Sequence, residues 1–352
     1  MSTLRLLQEN DIPSFLAFLA KEGNRILVPV EKQATKTSIV FEQWEENKPF
    51  TLVKATVPPK DAVLPHCETL FTYKKSKQGD NKSIELTETN NPQNTVIFAC
   101  RPCDARGFTV LDRPYMQGPF VDPYYKNKRE KLTVISFTCP SGASTCFCHW
   151  IGSGPTSSEG SDILVTRTEK GLVLESVTDK GEEILKKSKL DDAKDLANTV
   201  KDLHKKAIDS LEKAPDLTKS QQNLAKIFAN EEFWEKETDR CLSCGACTYF
   251  CPTCYCFTIT DEGEPESEKG GKRLRSWDSC MSSMFTREAS GHNPRKKKGL
   301  RMRNRVSHKF STYPENWGTF SCNGCGRCIT NCPVHLDIRE IVLDGIKQAN
   351  EK

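Results

Sequence analysis

The chain has 352 residues, with 51 Lys and Arg against 47 Asp and Glu and a formal net charge of +4 at pH 7. No run approaches the ~20 apolar residues of a membrane-spanning helix, so we expect no integral membrane protein. The nearly balanced charge argues against a chain that binds nucleic acid over its whole surface. At roughly 150 residues per domain, the length predicts about two domains or three.

Cysteine is the most informative residue type in this composition. The chain contains 17 cysteines, an odd number that a complete set of internal disulfides cannot use. The amino-terminal segment has no basic stretch followed by an apolar one, so we expect no secretion signal and a cytoplasmic location. Stable disulfides are rare in that reducing compartment, and so many thiols therefore indicate metal binding.

The first 180 residues predict a mixed α/β domain. Residues 4–19 have apolar side chains at helical spacing. Two short apolar runs, 95–99 and 132–137, predict buried strands, and residues 163–165 and 172–174 predict two strands joined by a turn. Both long runs end at a cysteine motif, and the carboxyl ends of strands are common places for sites in such folds.

The cysteine motifs of this domain are a candidate third metal site. Four thiols from two loops would suit either a [4Fe–4S] cluster or zinc. The alternative is that they are buried, apolar core cysteines. The candidate ligands are Cys103, Cys139, Cys146 and Cys148, whereas Cys67 and Cys100 fit the core interpretation.

Residues 181–238 predict a helical connector. Apolar residues recur at steps of three and four from residue 190 to 211, which predicts one long amphipathic helix. A second helix is predicted over residues 221–238. We expect both helices to pack on the core.

The strongest motif in the chain occurs twice. Each copy has the spacing C-x2-C-x2-C-x3-C-P, which is typical of [4Fe–4S] clusters in bacterial ferredoxins. The first copy contains Cys241, Cys244, Cys247 and Cys251, and the second contains Cys322, Cys325, Cys328 and Cys332. Zinc sites usually use two separate C-x2-C pairs, so this pattern favours iron–sulfur clusters.

In two-cluster ferredoxins the fourth cysteine of each run binds the other cluster. This rule predicts one cluster on Cys241, Cys244, Cys247 and Cys332, and a second on Cys322, Cys325, Cys328 and Cys251. The iron of these clusters is the only metal that the motif predicts.

A polar insertion, residues 257–320, separates the two runs. Cys254 and Cys256 precede it and Cys280 lies within it. These three thiols either form or complete another metal site or are buried side chains near a cluster, and the sequence leaves both open.

Residues 295–309 contain eight Lys and Arg. This basic stretch could dock an acidic partner, offset the charge of thiolate-ligated clusters, or form a solvated loop.

Motifs of nucleotide-binding and hydrolytic enzymes are missing from the sequence. There is no G-x-G-x-x-G that opens a helix after a strand, and no G-x4-G-K-[ST]. No constellation of Ser, His, Asp or Cys stands out as a nucleophile. We therefore predict no catalytic residue, and a non-catalytic electron-transfer chain is favoured over a stand-alone enzyme.

Several motifs together resemble the beta subunit of cytoplasmic sulfhydrogenases and are similar as well to the corresponding iron–sulfur subunit of anaerobic sulfite reductases. The resemblance runs from about residue 59 to the end of the chain. It is carried by Arg101-Pro-Cys-Asp104, Asp122-Pro-Tyr-Tyr125, Cys146-Phe-Cys148, Cys251-Pro-Thr-Cys-Tyr-Cys-Phe257, Trp277-Asp-Ser-Cys280, Gly291-His-Asn-Pro-Arg295 and the second ferredoxin run.

The resemblance implies an iron–sulfur electron-transfer subunit of an anaerobic redox hetero-oligomer. Its implied partners are a subunit that binds flavin and NAD(P), and a catalytic one, namely a hydrogenase, a sulfite reductase or a heterodisulfide-reductase-like module. Two alternatives remain: a self-contained reductase with an open N-terminal cluster, and a metal-containing nucleic-acid-binding protein.

The predicted fold is α+β. Residues 1–180 form the mixed α/β domain, residues 181–238 the connector, and residues 239–352 a two-cluster ferredoxin-like helical domain. We expect two [4Fe–4S] clusters, a candidate third, and neither a nucleic-acid partner nor a membrane span.

Overall fold

The computed structural model, which describes residues 2–78, 81–263 and 270–351, has the predicted α+β fold, built on two β-sheets. The strands are β1 (Leu4–Leu7), β2 (Arg25–Lys32), β3 (Ser38–Gln43), β4 (Cys67–Gln78), β5 (Asn81–Glu88), β6 (Thr95–Cys100), β7 (Leu132–Phe137), β8 (Ile163–Thr168), β9 (Gly171–Ser176), β10 (Asp191–Asp192), β11 (Phe257–Gly263) and β12 (Gly270–Trp277).

The α-helices cover both halves of the chain. They are α1 (Ile12–Lys21), α2 (Pro102–Asp112), α3 (Pro123–Glu130), α4 (Asp179–Lys187), α5 (Ala197–Asp209), α6 (Ser220–Lys226), α7 (Glu231–Glu237), α8 (Ala246–Tyr249), α9 (Lys298–Ser307), α10 (Tyr313–Trp317), α11 (Arg327–Thr330) and α12 (Ile338–Asn350). In the described ranges, no helix combines the length and apolar character needed to cross a bilayer.

The large sheet has the strand order β10-β1-β9-β8-β7-β6-β2-β3. Strands β2, β6, β7 and β8 are parallel, and every residue of β6 and β7 is buried. Continuous apolar runs suit parallel strands because helices cover both faces of such a sheet. The cysteine motifs after β6 and β7 therefore lie at the same edge.

Residues 4–19 differ from the sequence prediction of one helix. Residues Leu4–Leu7 form strand β1, which pairs antiparallel with β9, and the helix begins only at Ile12. Pro13 occupies the first turn of α1, where its missing N–H costs no hydrogen bond. The helical spacing failed as a guide because the edge of the sheet takes up the apolar side chains of residues 4–7.

The predicted helices of residues 190–211 and 221–238 are both interrupted. Asp191 and Asp192 form β10 at the sheet edge, and α5 starts at Ala197. Residues 221–238 contain α6 and α7, and the Asn230 side chain accepts a hydrogen bond from the Phe233 N–H, which caps α7. The pairing of β10 with the sheet and the capping of α7 by Asn230 thus interrupt helices that the apolar periodicity alone predicts to be continuous.

A smaller sheet has the order β11-β12-β4-β5. Its hairpin β11–β12 comes from the predicted insertion, while β4 and β5 come from the first 180 residues. Strand β12 pairs antiparallel with β4, with Ser276 opposite Cys67. The two sequence regions thus share one sheet, and the predicted division into three parts stays a prediction.

Helices α6, α7, α9 and α12 enclose the core of the carboxyl-terminal half. The Trp234 side chain is fully buried in this cluster, beside Leu224 and Ile341. Helices α6 and α12 approach so closely that a Cβ atom on Gly345 would lie 2.8 Å from Leu224. This core supports the loops that carry the ferredoxin cysteines.

Candidate cluster site

The two ferredoxin runs adopt the same backbone conformation. Each run turns at a glycine with positive φ, Gly245 (76°) and Gly326 (74°), and that glycine immediately precedes a one-turn helix, α8 or α11. A residue other than glycine is strained at such an angle. At Gly326 a Cβ atom would also lie 2.5 Å from the Thr145 carbonyl oxygen.

Backbone amides point at equivalent sulfurs in the two loops. The Ser243 N–H donates to Cys241 Sγ at 3.4 Å, and the Gly324 N–H donates to Cys322 Sγ at 3.4 Å. The Leu336 N–H donates to Cys332 Sγ at 3.3 Å. Such N–H donors stabilise thiolate charge and raise the reduction potential of a cluster that the sulfurs bind.

The first group of thiols lines one cavity, whose volume of about 540 Å³ includes a part open to solvent. Cys241, Cys244 and Cys247 from the first run meet Cys332 from the second run there, together with Cys328. Cys244 is exposed, so this group lies near the protein surface. The structure therefore brings together the four residues that the crossed ferredoxin pattern predicts.

The second group is more deeply buried. Cys251, Cys322 and Cys325 are all buried. Burial and the neighbouring Cys251 thiolate together raise the pKa of Cys322 to about 11, against the charge of Lys309. Burial likewise raises the pKa of Cys328, with Cys325, Cys322 and Cys251 adding to the effect and Arg305 opposing it. The fourth cysteine of the first run thus lies beside the second run.

These arrangements fit a polynuclear cluster better than a single ion. Across the described ranges, no group of three or more His, Cys, Asp or Glu side chains surrounds the position of one metal ion. Zinc draws its sulfur ligands to about 2.3 Å and needs a tight tetrahedron. The donor set around the 540 Å³ cavity is all thiol, which suits iron–sulfur chemistry.

A buried ion pair joins the second run to the first domain. Arg327 lies between Cys325 and Cys328 and donates two hydrogen bonds to Asp104, at 2.6 and 3.0 Å. Both side chains are at most 2% exposed. Asp104 follows Cys103 directly, so this pair fixes the second cluster loop against the start of α2.

Three of the four first-domain thiols lie close together. Burial and the adjacent Cys146 and Cys139 thiolates together raise the pKa of Cys148 to about 11. Burial raises the pKa of Cys103 well above its usual value, Asp104 and Cys325 raise it further, and Arg327 and Lys54 oppose this. Lys54 connects the two sets, because its Nζ atom donates to Cys146 Sγ at 3.4 Å and to the Cys325 carbonyl at 2.6 Å.

The loop that carries Cys146 and Cys148 packs directly on the second ferredoxin run. The Phe147 N–H donates to the Gly324 carbonyl at 2.8 Å. A Cβ atom on Gly324 would lie 2.4 Å from the Cys148 nitrogen, so no side chain fits between the loops. Cys100 is buried in the sheet and Cys67 is exposed beside Ser276, away from this contact.

Comparison with known proteins agrees with this geometry. Residues 240–336 match the family model of the 4Fe-4S dicluster domain. The chain is an iron–sulfur electron-transfer protein with [4Fe–4S] clusters as its cofactors.

The chain is also similar along its length to one characterised subunit. It is 29% identical over 351 residues to sulfhydrogenase 2 subunit beta of Pyrococcus furiosus, covering 97% of this chain and 98% of that protein. The predicted resemblance to sulfhydrogenase beta subunits is thereby confirmed.

The basic stretch next to the dicluster cysteines turns its charges inward. Arg301, Arg305 and Lys309, at steps of four residues, are each at most 5% exposed. Arg303 instead covers the Phe228 ring, and Lys297 pairs with Glu231 on the surface. The inward charges fit one of the three interpretations left open by the sequence, an offset of cluster charge, and the spacing of four residues on a helix was the signal that favoured it.

Arg305 lies between the two groups of dicluster cysteines. Burial lowers its pKa, but the thiolates of Cys247, Cys254 and Cys251 raise it well above the usual value. Cys247 belongs to the first group and Cys251 to the second. The buried Arg305 guanidinium therefore interacts electrostatically with both groups of dicluster cysteines.

We expect Arg305→Gln to lower the reduction potentials of both dicluster clusters. Reduction adds negative charge, and removing a buried cation makes that charge less favourable. The shift should reach tens of millivolts, because about 59 mV is a tenfold change for a one-electron couple. Anaerobic redox titration followed by EPR measures it, with Arg305→Lys as the control that keeps the charge. Unchanged potentials in Arg305→Gln would contradict the expectation.

Proposed function

We propose that this protein is the electron-relay subunit of a cytoplasmic, anaerobic oxidoreductase hetero-oligomer. It would connect a flavin- and NAD(P)-binding subunit with a catalytic subunit of the hydrogenase, sulfite reductase or heterodisulfide-reductase-like type. The name of the Pyrococcus furiosus relative, a sulfhydrogenase beta subunit, supports membership in such a complex. The crossed grouping of the dicluster cysteines is the observation that carries the relay.

The ligand assignment follows that grouping. Cys332 shares a cavity with the first three cysteines of the first run, which supports one cluster on Cys241, Cys244, Cys247 and Cys332. Cys251 lies beside the second run, which supports the other cluster on Cys322, Cys325, Cys328 and Cys251. When bound, such clusters supply one-electron transfer.

The chain's own residues hold and tune the two groups. Backbone N–H groups donate to one sulfur in each loop, and Arg305 offsets negative charge between them. The first group includes the exposed Cys244 and adjoins Leu242, which is 64% exposed. We infer that electrons enter or leave the chain at this surface.

The first-domain thiols are candidates to extend the relay. Cys139, Cys146 and Cys148 neighbour one another, and the Cys146 loop contacts the second run. Cys103 is the candidate fourth thiolate of this set. A cluster here would continue the line from the first group through the second.

Counting iron and acid-labile sulfide tests the proposal. Protein purified without oxygen should contain about eight irons per chain with two clusters, and about twelve with a third. EPR of the reduced protein should show interacting [4Fe–4S] signals. Zinc with little iron would overturn the relay, whereas eight irons would leave it intact and exclude any cluster beyond the two.

A further inference from the structure

Three thiols outside the dicluster groups share the wall of a second cavity. Cys254, Cys256 and Cys280 line a cavity beside Arg305 and Lys309 that opens to solvent and, with the open part included, has a volume of about 1200 Å³. In the sequence, one residue separates Cys254 from Cys256, whereas Cys280 lies 24 positions after Cys256. The fold brings the three thiols to one cavity. The smaller cavity at the first dicluster group is also lined by thiols, so the two sites offer the same kind of ligand.

The base of the β11–β12 hairpin positions two of these thiols. Phe257 pairs with Trp277 across the hairpin, and the Asp278 N–H donates to the Cys256 carbonyl at 2.9 Å. Cys256 and Cys280 consequently line the same pocket. Cys254 lies two residues before Cys256 and lines it as well.

Three buried cations converge on the same segment. Lys60 Nζ donates to the Cys254 carbonyl at 2.9 Å, and Arg305 Nη1 donates to Cys254 Sγ at 3.2 Å. Lys309 Nζ donates to Thr253 Oγ1 at 2.9 Å. These three cations are at most 4% exposed, and within the described part of the chain none forms a salt bridge to a carboxylate.

Buried cations without counter-charge are costly, because desolvation is not repaid. Arg327, another buried cation, has the Asp104 carboxylate as its counter-charge. Around Cys254 the available anions are thiolates and whatever they bind. A [4Fe–4S] core held by thiolates carries net negative charge, and the second dicluster group supplies one such centre through Cys251.

We propose that Cys254, Cys256 and Cys280 bind an additional iron–sulfur cluster through three thiolates, with one iron open to the cavity. The proposal rests on the electron-relay function, since it places a further redox centre beside the second dicluster group. The open iron gives a small anionic or sulfur-containing ligand direct access from the 1200 Å³ cavity.

Metal analysis of anaerobically purified, full-length protein tests this site. Cys256→Ser and Cys280→Ser should each contain about four irons and four sulfides fewer than wild type. Cys67→Ser is the matched control, because Cys67 is an exposed cysteine whose thiol contacts Ser276 rather than another thiol. Cys146→Ser reports separately on the first-domain thiols, so the two candidate sites are not confused.

Cyanide is a second probe that does not depend on iron loss. Added to the reduced wild-type protein, it should alter one EPR signal by binding an open iron and leave the dicluster signals unchanged. The cyanide effect should disappear in Cys256→Ser and Cys280→Ser. If either variant folds poorly, the wild-type cyanide response still decides whether an open iron exists.

Two outcomes would overturn the proposal while leaving the relay intact. One is wild-type iron content in both serine variants together with no cyanide response. The other is a Cys256–Cys280 disulfide found by peptide mapping after mild oxidation at full iron content, which would make the pair a thiol–disulfide couple. Loss of all iron–sulfur signals in wild type would instead contradict the relay itself.

Discussion

Replacing Asp104 with asparagine is expected to destabilise the protein by about 3–5 kcal/mol, the usual cost of removing one partner of a buried ion pair. Arg327 would keep its charge but lose its counter-ion in a site that is 2% exposed. Its remaining polar contact is the Ala55 carbonyl, at 3.0 Å. A neutral amide cannot replace the bidentate carboxylate.

An exposed pair of the same chemistry provides the control. Asp261 accepts two hydrogen bonds from Arg273, both at 2.7 Å, but these side chains are 45% and 43% exposed. Asp261→Asn should change stability by about 0–1 kcal/mol, because water screens and solvates such pairs. Both pairs are bidentate and differ chiefly in burial, so their comparison reports the contribution of desolvation.

Denaturant titration of the cluster-loaded protein under anaerobic conditions compares the two variants. Asp104→Asn should also lose iron at a lower denaturant concentration than wild type, since Arg327 belongs to the second cysteine run. If both asparagine variants were equally stable, the buried pair would not hold that run against the first domain.

The strands of the large sheet were predictable because burial leaves a local signature. Residues 95–99 and 132–137 are continuous apolar runs, and both form central parallel strands. Residues 163–165 and 172–174 form the predicted hairpin, β8 and β9. By contrast, residues 4–7 obey helical spacing yet become a strand, because pairing with β9 is a long-range interaction that periodicity does not contain.

The dicluster cysteines were predictable because their spacing is set by the cluster rather than by the fold. The charged residues around them were not. The contact between Arg327 and Asp104 joins residues 223 positions apart, and nothing local marks either side chain as buried. Arg305 looks like one more member of a basic stretch until helix α9 turns it inward. The charged residues around a site therefore become evident only from tertiary packing, even when the spacing of its cysteine ligands is evident in the sequence.

The crossed assignment leads to the sharpest mutational prediction. Cys251→Ser should damage the cluster of the second run, although Cys251 belongs to the first run in sequence. Cys332→Ser should damage the cluster of the first run. Each variant should lose up to about four irons, because serine is a poor replacement for a thiolate ligand.

Two reference variants identify which cluster is lost. Cys244→Ser removes a ligand that belongs to the first group under either assignment, and Cys325→Ser does the same for the second. The EPR spectrum of Cys251→Ser should therefore match that of Cys325→Ser, and Cys332→Ser should match Cys244→Ser. The opposite matching would show that each run binds its own cluster.

The structural reason for expecting the crossed result is the position of the fourth cysteines. Cys332 lines the cavity of Cys241, Cys244 and Cys247. Cys251 is buried near Cys322 and next to Lys309. Exchanging the fourth ligands would tie the two clusters into one unit, so that the 70 residues between Cys251 and Cys322 could form a hairpin and a basic helix without separating them. Short separation between centres is what one-electron transfer requires, and the crossing provides it by covalent connection.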